Sequence, residues 1–178
     1  MRYFLVPIVS SFFFLFPLLS LSHGEESGIF ITEEVQLRLG DAFLDEGEYY
    51  RAITEYKKFR ILFPSSVKGD YALFRTGIAF YLGAEYADAV RSFGVLRESR
   101  PASGYADASL FFEGLSRWRK KDYTGGAENF DLLIRRDAPS PFAPRAHVAK
   151  ALLEVDRGDV AAARGDLEGF LAAYPGHP

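Results

Sequence analysis

The sequence predicts an all-α fold, an α-α superhelix (solenoid) of about four helical hairpins. Three observations predict it. Residues of one kind return every 37 positions, each 37-residue stretch divides into two segments with helical spacing of apolar residues, and proline-containing connections separate the stretches. The register is dense. Gly40, Gly77 and Gly114 share it, with Ala151 in the fourth place; so do Tyr49, Tyr86 and Tyr123, with Val160 fourth. Ala52, Ala89, Gly126 and Ala163 keep the same step, as do Tyr56, Phe93, Phe130 and Leu167.

In the first unit, Val35, Leu39, Ala42 and Phe43 lie at helical spacing between Glu33 and Glu46. Gly47-Glu48 breaks that helix, and a second runs from Tyr49 to Phe63, ended by Pro64. The later units turn at Leu82-Gly83-Ala84, Lys120-Lys121-Asp122 and Arg157-Gly158-Asp159. Unit boundaries are expected at about 33–69, 70–106, 107–143 and 144–178, the third closing at Ala138-Pro139. Ser66, Ser103 and Ser140 follow the connecting prolines and are placed to cap the next first helix. A mid-helix glycine costs about 1 kcal/mol relative to alanine. Its recurrence at one phase therefore needs a reason, and close approach of two helix backbones is the simplest.

The beginning of the chain has a different character. Met1-Arg2 is followed by an apolar run from Tyr3 to Leu21, then by small residues at Ser20 and Ser22 and polar Gly24-Glu25-Glu26. This reads as an export signal over residues 1–24, with residues 25–32 leading into the repeats; an uncleaved membrane anchor is the alternative. The expected location is accordingly periplasmic or secreted.

Composition narrows the function. Lys plus Arg is 21 against 24 Asp plus Glu, a net charge of -3, which offers no basic face for nucleic acid. With no cysteine there is no disulfide, thiolate nucleophile or Cys-ligated zinc. Neither a phosphate-binding glycine loop nor a serine-nucleophile motif is apparent. Of the three histidines, His23 falls at the expected cleavage site, His177 at the end, and His147 in line with Leu73 and Leu110 as a core-edge residue. Asp41 and Asp45 lie one turn apart, with no third ligand spaced to complete a cation site. The expectation is no enzyme, no metal and no cofactor.

The strings LGDAFLDEGEYYRAITEYKKF, TGIAFYLGAEYADAVRSFGVL and EGLSRWRKKDYTGGAENFDLL resemble tetratricopeptide (TPR) repeats. They share the small residue in the first helix, the turn into Tyr, the Ala and aromatic of the second helix, and the closing Pro. The period exceeds that family's usual 34 residues, with the extra length in Pro-x-Ser connections. Behind an export signal, this is similar to a periplasmic subgroup that includes the Bam-complex D lipoprotein and the division coordinator CpoB. The sequence lacks a lipid-anchoring cysteine and an N-terminal coiled-coil region.

The resemblance implies a non-enzymatic protein-interaction adaptor of the cell envelope, with first helices lining a concave groove. Its setting would be outer-membrane protein assembly or envelope and division-site organisation; the alternative is an accessory subunit of a secretion or polysaccharide-export machine. Mapped onto this sequence, the groove set runs from Leu37, Asp41, Leu44 and Asp45 to Phe74, Ile78, Tyr81 and Leu82. It continues with Phe111, Leu115, Trp118 and Arg119, then Val148, Leu152, Val155 and Asp156. The expected partner anchors are Phe74, Ile78, Tyr81, Phe111, Leu115, Trp118 and Arg119. Arg117, Arg119, Lys120 and Lys121 read as a solvated helix end. In the last helix Leu167, Phe170, Leu171 and Tyr174 exceed what one neighbour can cover, so this end is expected to dock onto a partner or a second copy.

Overall fold

The computed structural model describes residues 31–136 and 140–176. The expected signal, residues 25–30 of the lead-in, the Ala138-Pro139 closure and His177 lie outside them. The described residues form eight α-helices and no strand: α1 (Glu33–Asp45), α2 (Tyr49–Leu62), α3 (Gly69–Leu82), α4 (Tyr86–Ser99), α5 (Ala106–Arg119), α6 (Tyr123–Ile134), α7 (Ala143–Arg157) and α8 (Val160–Ala173). Each helix packs on the next in chain order. The first helices of successive hairpins also touch, α3 with α5 and α5 with α7, which places them on the inner side of the stack. Ile31–Pro178 is a compact unit in its own right. Among the described residues no helix is long and apolar enough to cross a membrane.

The four hairpin turns are copies of one another. Gly47, Ala84, Lys121 and Gly158, again 37 apart, all take positive φ. In each turn the following residue's N–H reaches back five positions, as from Glu48 to the Phe43 carbonyl and from Asp122 to that of Arg117. This is the left-handed helix stop that glycine adopts without penalty; two of the four turns impose it on a side chain.

The connections between hairpins repeat as closely, but differ from the sequence expectation. Ser66, Ser103 and Ser140 do not cap the helix. Their hydroxyls accept from the backbone N–H two residues on, at 3.1, 3.2 and 3.2 Å. Their carbonyls accept from Gly69, Ala106 and Ala143, the residues that open α3, α5 and α7. A serine turn thus precedes each helix, because the hydroxyl closes a local ring more readily than it spans to the third amide.

The glycine register has a reason different from the expected one. A Cβ at Gly40 would stand 2.6 Å from the Tyr56 ring, and one at Gly114 would stand 2.7 Å from Phe130; Gly77 faces Phe93 in the same way. Each ring is fully buried. The aromatic of the second helix therefore lies against the glycine of the first, and its ring fills the space. In the third hairpin the expected backbone approach is present as well. At Gly126 a Cβ would come within 3.1 Å of the Gly114 carbonyl oxygen.

Candidate functional site

Three junctions join one hairpin's second helix to the next hairpin's first, and they differ in chemistry. The first is polar. Asp41 accepts hydrogen bonds from Tyr56 and Tyr71 hydroxyls at 2.6 and 2.8 Å and pairs with Arg75 at 3.0 Å. Burial and the Asp41 carboxylate push the Tyr71 hydroxyl up to about 12 and raise that of Tyr56 further still. Asp41 is therefore engaged as a structural acceptor. Among the described residues no group of three His, Asp or Glu is placed to hold a metal ion.

The second junction is aromatic. Phe112, in the register place of Arg75, meets Phe74, Tyr81, Phe93 and Phe111 at ring separations of 5.7–6.1 Å. Phe74 also stacks on Tyr105 at 5.1 Å. At its outer edge lies the buried Glu113, which pairs with Arg97 at 2.9 Å and Arg117 at 3.0 Å. A carboxylate taken out of water is paired here with two guanidiniums.

At the third junction an apolar cleft of about 410 Å³ opens on the inner side. Phe111, Leu115 and Trp118 of α5 form one wall, and Val148 and Leu152 of α7 the other, with Phe170 of α8 contributing. Val148, Leu152 and Val155, one helical stripe, are 39%, 53% and 52% exposed. Trp118 fixes one end by donating its indole N–H to Asp156 at 2.9 Å. Arg145 lies at the other. An apolar floor with fixed polar ends suits apolar side chains of a partner segment and offers no nucleophile or acid–base pair.

The expected groove residues therefore divide. Phe111, Leu115 and Trp118 share the cleft. Phe74 and Ile78 instead lie in interior packing, Phe74 among rings and Ile78 against the core of Leu37, Leu44 and Tyr56. Leu37 and Leu44 are themselves buried core, so the first unit has no apolar groove. Tyr81 packs edge-on against Phe112 and binds the Arg119 guanidinium. The basic cluster is partly neutralised, since Arg117 bridges Glu113 and Asp122. On the outer side, a hollow of about 820 Å³ beside Arg97, Arg135 and Arg136 is likewise lined by paired arginines, to Glu113, Asp131 and Asp107.

Of the expected C-terminal docking residues, Phe170 and Tyr174 turn inward against His147, at ring separations of 6.2 and 5.9 Å. Leu167 and Leu171 face outward. Burial holds His147 below its ordinary value. Pro144 and Arg145, which complete the cleft, were missed by sequence reasoning. The proline in the first turn of α7 was the available signal.

This architecture, with eight helices among the described residues packed as consecutive hairpins, defines a helical-repeat protein. Tetratricopeptide-repeat models match residues 34–66 and 71–103, and another matches residues 113–178. The chain belongs to the tetratricopeptide-repeat proteins. Its fold is similar to that of MamA from Desulfovibrio magneticus RS-1, with a TM-score of 0.65 and 20% identity over 79% of this chain and 75% of that one. MamA of strain AMB-1 gives 0.62 and 18% identity, over 83% and 76%. A search of curated proteins finds no match.

Proposed function

We propose that this protein is a non-enzymatic adaptor of the cell envelope that seats an apolar partner segment in the cleft between α5 and α7. One observation carries the reading: the exposed Val148 and Leu152 of α7 and Leu115 and Trp118 of α5 line the two sides of an open apolar cleft. Tetratricopeptide-repeat proteins are in general interaction scaffolds, which agrees with it. The envelope setting rests on the apolar run after Met1-Arg2 and its small-residue cut site, and the similarity to the Bam-complex D and CpoB subgroup suggests a place in outer-membrane protein assembly or division-site organisation.

The test is affinity capture from envelope extract, followed by titration of the captured partner. Leu152→Glu and Trp118→Ala should each weaken binding roughly tenfold or more, as loss of a central anchor does. Helical content should stay unchanged, because Leu152 is more than half exposed. Undiminished binding by both variants would move the site off this cleft.

A further inference from the structure

We infer that copies of this chain join head to tail, α8 of one against α1 of the next, so that the helical stack continues across the join. The argument is one of register. At the first two internal junctions the first helix offers a buried face: Ala72, Thr76 and Ala79 in α3, and Ser109, Glu113 and Ser116 in α5, all at most 4% exposed. In α1 the same three positions carry Val35, Leu39 and Ala42, apolar throughout, with Val35 48% and Leu39 41% exposed. The other half of the interface is open on α8. Leu167 takes the place of Tyr56, Phe93 and Phe130, which are fully buried, yet it is 44% exposed.

The two open faces match at two register pairs. Inside the stack, Arg97 crosses a junction to Glu113. The corresponding residues at the two ends are Leu171, 64% exposed, and Leu39. Charge meets charge within the chain, and leucine meets leucine between chains. Asp131 crosses the next junction to Lys150 at 2.8 Å. Glu168 stands in the place of Asp131, but the place of Lys150 in α1 is again Leu39, so this charge pair is not repeated at the join. The small Ala163 and Ala42 fall where Gly126 meets Leu153. A face that fits the other end of the same molecule makes a heterologous contact, which propagates into rods where the rotation does not close.

Light scattering across a concentration series tests this, on the full chain and on the chain without residues 1–24, which keeps all eight described helices. The shorter form should grow in mass with concentration without a plateau. Leu39→Glu and Leu171→Glu, both at exposed positions, should each be monomeric alone and form a one-to-one dimer when mixed, because each retains one sound end. Val35→Glu should behave as Leu39→Glu does. A monomer at high micromolar concentration overturns the proposal. So does unaltered assembly of Leu39→Glu, which would indicate pairing of α8 with α8, or failure of two natively helical variants to combine.

Discussion

α6 and α8 occupy the same place in successive hairpins, begin at the same phase and share a side-chain-capped start, at Asp122 and Asp159. Yet α6 buries Gly125, Gly126, Asn129, Phe130 and Leu133, whereas α8 buries only Ala163. The difference lies in neighbours rather than in composition. Among the described helices α6 is sandwiched between α5 and α7, and α8 packs chiefly on α7. Two helices of similar apolar content thus have different energetic worth, because the transfer of apolar surface counts only where a partner removes it from water.

That contrast can be tested most strongly at one register position. Phe130→Ala, deleting a fully buried ring, should cost about 3–5 kcal/mol in urea unfolding. Leu167→Ala, at a site 44% exposed, should cost about 1 kcal/mol or less. Comparable losses would mean that α8 is covered in solution.

Acid should single out the fourth hairpin. His147 is held below its ordinary value chiefly by burial and secondarily by the Lys150 charge, against the opposing influence of Asp166 and Asp131. Its folded-state value thus lies below its unfolded one. The neutral imidazole therefore contributes stability above pH 6.5, and that contribution falls away as the pH drops from 6.5 through the folded-state value. Thermal melts of wild type and His147→Phe should diverge on acidification, the wild type losing more. Parallel curves from pH 7 to 5 would remove His147 as the cause.

The smallest effect concerns the turns that both regions share. Lys121 holds φ 65° where Gly158 has the same left-handed stop. Lys121→Gly should raise stability by roughly 0.5–1 kcal/mol in denaturant titration, and Gly158→Ala should lower it by a similar amount.

The repeat made the hairpins and their turns legible, since glycine, aromatic and turn residues return at fixed phase. The site was only half legible. Phe112 was overlooked as a hub because its register place holds Arg38, Arg75 and Ala149 in the other units, so periodicity gave no warning. Phe74 was assigned to the groove because its helical position faces inward, but Tyr105, from the connection before α5, stacks over it. The serine turns were misread as caps for a related reason. Spacing identifies which residues recur, whereas the atom each one reaches is decided by chain geometry between helices.

The position of the cleft carries one more consequence. One wall belongs to the twice-supported α5, while the other belongs to α7, whose far side rests on the thinly buried α8. In a linear array, local opening starts where contacts are fewest. Occupancy of the cleft should therefore tighten the molecule unevenly, slowing amide exchange in α7 and α8 while leaving α1 and α2 at their own pace. The partner would act as a clasp on the loose end of the chain.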